Sequence, residues 1–312
     1  MHIGINGREC PWMNLIQVQY DNADFFAAYA QMARSQFGLD AAGEWYQLEP
    51  MFPELGQKTV LDLGCGYGWH CKYVAEKGAS RVLGIDQSEK MIDEAIKRNS
   101  AETIEYRVCS LNDFDYPEDS FDVVISNLVF HYIDNLQEAY SNVHKTMKAG
   151  GVFLLNIEHP TFTAGVKQQF VPTGIWPVTD YFYPGKRSTD FLGYELQKYH
   201  HTLTQILNGL LSAGFQIEAV EEVIPPEEWR VKMPEEMLRP MMLLVKAVKP
   251  RYDAKRVYQK DMECVFSSFY EALANGENER ARNLLKKLVQ ELGENNADVV
   301  GATTAFTLET MK

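Results

Sequence analysis

A glycine turn followed by an acid is the feature of this sequence best suited to chemistry. Gly64, Gly66 and Gly68 follow the short apolar run 58–63 and precede a predicted helix. Glycines in this arrangement let the backbone pass close to a ligand, because they carry no Cβ. Asp86 ends the next predicted strand, where a carboxylate can accept hydrogen bonds from both ribose hydroxyls. The pattern therefore predicts a site for a ligand that contains a ribose.

The spacing of the glycines further limits the class of ligand that the turn is expected to bind. It reads G-x-G-x-G, not the G-x-G-x-x-G of a dinucleotide fingerprint, and Asp62 precedes it. A pyrophosphate favours backbone N–H groups at a helix N-terminus without a nearby acid. An acid in the turn instead suits a ligand that carries an ammonium group. A plain tight turn in an α/β fold is the alternative.

The rest of the chain predicts the scaffold that positions this turn. Short apolar runs alternate with helical patterns, which favours a mostly parallel sheet covered by helices on both faces. Ligands of such sheets bind beyond the carboxyl ends of the strands. The predicted strands are 58–63, 81–86, 103–109, 121–126, 152–157, 215–220 and 241–248, and the predicted helices are 14–50 (interrupted), 69–77, 88–98, 134–148 and 201–213.

Composition excludes several functional classes. The 312 residues carry a formal net charge of −13 and are 46% hydrophobic, so the chain repels phosphate backbones and nucleic acid is not expected as a partner. No apolar run reaches the length of a membrane span. The five cysteines form no C-x-x-C pair, and no metal site is expected. The expected location is the cytoplasm.

Six fragments carry a family resemblance: EWYQL (44–48), VLDLGCGYGWH (60–70), GIDQSEKMI (84–92), FDVVISNLVFHY (121–132), EHPTFTA (158–164) and KYHHTL (198–203). Together they make residues 20–248 resemble the class I S-adenosylmethionine (SAM) dependent methyltransferases, in particular a bacterial group that acts on small molecules. The resemblance implies a Rossmann-like sheet of seven strands with the last strand antiparallel. It also implies in-line transfer of a methyl group from SAM to a small molecule, with S-adenosylhomocysteine (SAH) as product.

The resemblance assigns cofactor-binding roles by position. It places Asp62 and the glycine turn at the methionine end of the cofactor, Asp86 at the ribose and Gln87 beside the adenine. The expected cofactor-binding residues are Tyr20, Tyr29, Asp62, Gly64, Cys65, Gly66, Gly68, Asp86, Gln87, Ser110, Leu111 and Asn127. Ser110 departs from the family, which usually has an Asp there. Because Ser is a weaker acceptor, we expect the Leu111 backbone N–H and apolar contacts to hold the adenine.

A general base is needed only if the acceptor is a neutral oxygen or nitrogen. The candidate catalytic bases, in order of preference, are His159, His131 and His200. The first two follow predicted strands at the functional edge of the sheet, and His200 is expected to open the helix 201–213. A purely structural role is the alternative for each.

Residues 158–200 are long, aromatic and rich in Gly and Pro, as is typical of functional insertions. Their aromatic side chains favour either a wall of the acceptor pocket, with cation–π contact to the sulfonium, or a self-packed loop. These side chains are Phe162, Phe170, Trp176, Tyr181, Phe182, Tyr183 and Phe191. Arg187 is either a surface residue or a contact for a carboxylate on the acceptor.

The expected domains are a helical cap (1–57), a SAM-binding domain (58–249) with a substrate-side insert (158–200), and a helical extension (250–312). The extension is predicted to hold two amphipathic helices, 251–273 and 277–292, that pack on the parent domain or form a homodimer.

Two other functions stay open: a non-catalytic binding or regulatory protein, and a nicotinamide-dependent oxidoreductase, which the glycine spacing disfavours.

Overall fold

The computed structural model describes residues 19–165, 167–232, 234–251, 254–294 and 296–310, without the side chains of 232 and 254–261. The predicted helical residues 14–18 lie outside this part of the chain. The chain divides into two compact units, Met1–Pro250 and Arg251–Lys312.

A seven-stranded sheet forms the centre of the first unit. Its strands are β1 (Thr59–Leu63), β2 (Arg81–Asp86), β3 (Ile104–Val108), β4 (Phe121–Asn127), β5 (Met147–Glu158), β8 (Gln216–Glu222) and β9 (Met242–Val248). Their order is β3-β2-β1-β4-β5-β9-β8. The first five strands are parallel, and β9 runs antiparallel to both of its neighbours. The Rossmann-like architecture predicted from the sequence is confirmed.

Both faces of the sheet are covered, because successive strand residues point to opposite sides. Val60 packs in one buried cluster with Cys71 and Val74 of a helix on that face. Leu61, its neighbour, packs in a second cluster with Tyr140 of a helix on the other face. The continuous apolar strands therefore serve two cores at once.

Helices and short 3₁₀ turns connect these strands. The helices are α1 (Ala23–Ala30), α2 (Ala33–Phe37), α3 (Trp45–Leu48), α4 (Trp69–Glu76), α5 (Glu89–Asn99), α6 (Leu136–Thr146), α7 (Pro160–Thr163), α8 (Leu203–Ser212) and α9 (Glu227–Lys232). The 3₁₀ turns are Gly38–Ala41, Glu49–Met51, Phe130–Tyr132 and Pro234–Leu238. Ser88 caps α5 by accepting a hydrogen bond from the Met91 N–H, as its residue type predicts.

The segment 158–200 holds an antiparallel hairpin that the sequence analysis did not predict: β6 (Gly185–Phe191) pairs with β7 (Tyr194–His200). The expectation that His200 opens the next helix is wrong. His200 ends β7, and α8 begins at Leu203 after the capping residue Thr202.

The described residues of the second unit form three helices, α10 (Ala254–Ala274), α11 (Asn278–Leu292) and α12 (Ala297–Thr310), where two were expected. Phe269, Leu288, Val299 and Ala302 are buried together between them. Among the described residues of the whole chain, no helix is long and apolar enough to cross a membrane.

Candidate active site

A cavity of about 520 Å³ lies at the edge of the sheet where the parallel strands end. Its wall follows the strand order: Gly64 and Gly66 after β1, Asp86 at the end of β2, Ser110 after β3 and Asn127 at the end of β4. It then continues past the end of β5 to the start of β9. This is the edge at which open α/β sheets bind ligands.

Glycine is favoured at each of the three positions of the turn for a different structural reason. All have positive φ, between 51° and 75°, which favours glycine. A Cβ on Gly64 would collide with Val129, and one on Gly68 would collide with the Tyr106 hydroxyl. A Cβ on Gly66 would meet nothing within 4 Å, because this residue faces the open cavity. Gly66 is thus the point where the backbone can approach a ligand.

Asp86 ties this turn to the next strand. Its carboxylate accepts hydrogen bonds from the backbone N–H of Gly66 (3.0 Å) and of Ser88 (2.9 Å). Burial raises the pKa of the carboxyl to about 6, and these two hydrogen bonds partly offset that effect. Each oxygen keeps a second lone pair, so Asp86 can also accept hydrogen bonds from a ligand in the cavity.

Gln87, Ser110 and Leu111 line the same end of the cavity. The Ser110 hydroxyl donates to Asp113 Oδ2 at 2.6 Å and accepts from the Asp113 N–H at 3.2 Å. It is therefore held within its own turn, and its part in binding the adenine stays a prediction.

A network that the sequence pattern does not predict joins the N-terminal segment to the ends of β4 and β5. Arg34 forms an ion pair with Glu44, whose side chain is only 1% exposed. Asn127 donates to Glu44 Oε1 at 3.3 Å and accepts from Asn156 Nδ2 at 2.7 Å. Arg34, Glu44 and Asn127 all line the cavity. Glu44 lies in the EWYQL fragment, but nothing in that fragment indicates its partner.

Asp62 and Gly68 do not line the cavity, although both were expected to. Asp62 is buried and accepts a hydrogen bond from the Cys71 thiol, with Sγ and Oδ2 3.3 Å apart. Burial raises the pKa of Asp62 to about 7. Asp62 therefore lies on the side of the turn that faces away from the cavity. Cys65, beside Gly66, does line the cavity.

Tyr20 and Tyr29 line the cavity from the N-terminal segment. The Tyr20 hydroxyl lies 3.3 Å from that of Tyr132, and the rings of Tyr20 and Tyr29 meet edge to face. Ser88 donates to the carboxylate of Asp21 at 2.6 Å. These contacts hold the segment against the carboxyl ends of the strands.

The end of β5 carries a buried ion pair. Lys198 Nζ lies 2.5 Å from Glu158 Oε1, and Lys198 is only 5% exposed. His131 Nδ1 accepts a long hydrogen bond from the Glu158 N–H (3.5 Å), which leaves the proton on Nε2, 3.9 Å from Glu158 Oε1. Burial lowers the pKa of His131 to about 4, so this imidazole is neutral at pH 7.

Of the three histidines predicted as bases, only His131 lines the cavity. His159 caps α7 by accepting from the Thr161 N–H (3.1 Å), and its Nε2 lies 3.1 Å from Glu222 Oε1. His200 is fully buried, with Nδ1 2.8 Å from the Thr163 hydroxyl and Nε2 2.8 Å from the Tyr181 carbonyl oxygen. The surroundings of His159 and His200 match the structural alternative.

Three aromatic side chains of the insert form a cluster with Arg239, while Phe182 and Tyr183 are exposed. Phe162, Phe170 and Trp176 surround the guanidinium of Arg239, which lies 4.4 Å from the Trp176 ring centroid. Of the seven predicted aromatic residues, only Phe191 lines the cavity.

Arg187 is neither a surface residue nor part of the cavity wall. It is 8% exposed and donates to the carbonyl oxygens of Ala164, Asp180 and Tyr183.

The comparisons with known proteins decide the family. Residues 61–155 match the methyltransferase domain family. A crystal structure of an S-adenosylmethionine-dependent methyltransferase from Mesorhizobium loti is 40% identical, with a TM-score of 0.64, and the match covers 68% of this chain and 100% of that one. The chain belongs to the S-adenosylmethionine-dependent methyltransferases.

Three further relatives are similar to this chain over different lengths. A Listeria monocytogenes protein assigned to the same enzymes is 44% identical with a TM-score of 0.65, over 68% of this chain and 99% of that one. An uncharacterized Haemophilus influenzae protein is 32% identical over 248 residues, which are 74% of this chain and 96% of that one. Phosphoethanolamine N-methyltransferase 1 of Arabidopsis thaliana is 33% identical over 147 residues, only 29% of its length.

The methyltransferase is therefore an enzyme with SAM as its cofactor, as predicted, and not a nicotinamide-dependent oxidoreductase. The residues present fit this cofactor. The open side of Gly66 allows close approach, Asp86 offers carboxylate oxygens beside it, and charged and amide groups lie beyond at Arg34, Glu44 and Asn127.

Proposed function

We propose that the methyl acceptor is a small molecule that binds in the half of the cavity beyond the end of β4. We call this the acceptor half, and it is lined by His131, Tyr132, Glu158, Phe191, Lys198, Trp229, Met241 and Met242. The observation that carries the proposal is the Glu158–Lys198 ion pair, which is buried at the far end of a cavity that begins at the glycine turn. A recess with charged groups at its inner end suits a molecule small enough to enter it.

The other half, which we call the cofactor half, extends from β3 to the near side of β4. In this proposal Asp86 binds the ribose, while Gln87, Ser110 and Leu111 surround the adenine. Asn127 and the Arg34–Glu44 pair hold the methionine end, because its ammonium and carboxylate need partners of opposite charge. Bound SAM supplies a methyl group on a positively charged sulfur.

The residues of the acceptor half align the acceptor and exclude water, which are the main requirements of an in-line displacement. As the acceptor atom bonds to the methyl carbon, the carbon–sulfur bond breaks and its electron pair stays on sulfur. Glu158 takes the proton that a neutral acceptor loses, and the Nε2–H of His131 steers this carboxylate. His131 is thus a positioning residue in this proposal.

The test uses tritium-labelled SAM and a cell extract separated into low-mass, protein and RNA fractions. We expect label to pass into the low-mass fraction with the wild type and not with Asp86→Ala. Asp93→Ala is the matched control, because Asp93 is an exposed acid on α5. Label that accumulates only in protein or RNA would contradict a small-molecule acceptor.

A further inference from the structure

The ionised side chains around the cavity come close to balancing one another. Among the described residues, those that line it are Arg34, Glu44, Asp86, Glu158 and Lys198. Arg34 pairs with Glu44 and Lys198 pairs with Glu158, which leaves one carboxylate, Asp86, without a cation.

The remaining titratable groups of the wall are neutral at pH 7. Burial lowers the pKa of both His70 and His131 to about 4. Burial also raises the pKa of Tyr20, Tyr29 and Tyr132 above its ordinary value. The same effect raises the pKa of Cys65 to about 11 and that of Tyr67 to about 12.

The cofactor itself completes this balance. SAM carries a sulfonium, an ammonium and a carboxylate, and hence one net positive charge, which equals the single unpaired negative charge of Asp86. A charged acceptor would then add a charge for which the described wall has no partner, and an unpaired buried charge is strongly unfavourable.

From this balance we propose that the acceptor enters as an uncharged molecule with an apolar body and one hydroxyl or neutral amine group. The inference rests on the proposed function and deepens it. The apolar body suits Phe191, Trp229, Met241 and Met242 of the acceptor half, and the polar group suits the Glu158–Lys198 pair, which offers both an acceptor and donors. Acceptors that carry a phosphate, a carboxylate or an ammonium are excluded by this reasoning.

The experiment measures the binding of three probes of similar shape and different charge to the full chain. Benzyl alcohol, benzoate and benzylamine are titrated at pH 7.5 into protein saturated with SAH, with ligand-observed NMR as the readout. Because SAH lacks the sulfonium charge, the series is repeated with sinefungin, a SAM analogue that carries an additional ammonium. With sinefungin bound, we expect benzyl alcohol to bind about tenfold more tightly than either ion.

Variants of the ion pair should shift this preference in opposite directions. Glu158→Gln leaves Lys198 unpaired and should favour benzoate, whereas Lys198→Met leaves Glu158 unpaired and should favour benzylamine. The double variant Glu158→Gln/Lys198→Met removes both charges and should again favour benzyl alcohol. If a single variant does not fold, the wild type and the double variant still carry the comparison.

Two kinds of failure are distinguishable. Label that passes only into the protein or RNA fraction of the extract would contradict the proposed function itself. Protein that binds sinefungin but binds benzoate or benzylamine as tightly as benzyl alcohol, or binds no probe, would overturn the inference about acceptor charge and leave the cofactor site intact.

Discussion

The centre of the cofactor half, the glycine turn and Asp86, comes from adjacent stretches of the chain, whereas the acceptor half is formed by side chains from distant parts of the chain. In the cofactor half, Gly66 and Asp86 are joined by a direct backbone-to-carboxylate hydrogen bond. In the acceptor half, Glu158 at the end of β5 meets Lys198 on a separate hairpin. The first arrangement needs only neighbouring strands to be in register, while the second needs two separate elements to bring a matched pair of charges together.

The largest expected effect concerns the stability of the acceptor half. Lys198→Met leaves Glu158 buried and unpaired, so the free energy of unfolding should fall by about 3–5 kcal/mol. Glu158→Gln should have a similar effect, and the double variant should recover most of the loss. Urea denaturation of the four proteins checks this, with Lys167→Met as a control, because Lys167 is an exposed lysine of the segment 158–200. Additive losses in the double variant would show that the two residues do not interact.

The next effect concerns the cofactor half. Asp86→Ala should weaken SAH binding by about 3 kcal/mol, since hydrogen bonds to a charged group contribute about 1.5–3 kcal/mol each. Isothermal titration calorimetry checks this, with Asp93→Ala as the matched control. Unchanged affinity in Asp86→Ala would remove the ribose role proposed for this residue.

A smaller effect is expected at the boundary between the halves. Arg34→Met should weaken SAH binding by about 2 kcal/mol, the contribution of a charge-assisted hydrogen bond. The affinity for 5′-methylthioadenosine, which lacks the amino acid end, should stay the same. An equal loss for both ligands would indicate a general distortion, and Arg34→Lys should restore part of the SAH affinity.

The smallest expected effect is a dependence of SAH affinity on pH, which arises in the cofactor half. Because the pKa of Asp86 is raised to about 6, its carboxylate is protonated below that pH and can no longer accept both ribose hydrogen bonds. SAH affinity should therefore fall by up to about 1.4 kcal/mol per pH unit below 6 and stay level above it. The pKa of the neighbouring Asp62 is about 7, so Asp86→Asn is needed to assign the effect. If Asp86→Asn keeps the same pH profile, Asp86 is not its source.

Protonation of Asp86 also affects folding, with the opposite sign. A raised carboxyl pKa means that the folded state binds the proton more tightly than the unfolded state. The contribution of Asp86 to the free energy of unfolding therefore falls as pH rises from about 4 to about 6. Bound cofactor offsets this loss, because it binds the ionised form.

The sequence predicts the cofactor half well because its signals are local. A strand, a glycine turn and an acid at the end of the next strand are adjacent in the chain, so their types and spacing are sufficient to locate Gly66 and Asp86. The roles proposed for the individual residues stay predictions. Sequence spacing does not show that the Asp62 side chain lies outside the cavity wall and accepts a hydrogen bond from Cys71.

The acceptor half was harder to predict because its determinants are far apart. The sequence pattern does not predict the hairpin, because several of its buried positions are polar. These are Arg187 and Thr189 on β6, and Lys198 and His200 on β7. Strand prediction relies on alternating apolar residues, and this alternation is absent here. For the same reason, the sequence gives no sign that Lys198 pairs with Glu158.

The hairpin has a consequence for how this enzyme can diversify. Its two strands are joined only by Leu192 and Gly193, and they form a sheet separate from the seven central strands. Phe191 and Lys198 both reach the cavity from it. In the proposed function, changes at Phe191, or at Lys198 together with its partner Glu158 on β5, should alter which molecules are accepted while the glycine turn stays unchanged. A directed-evolution library aimed at new acceptors should randomise this hairpin first.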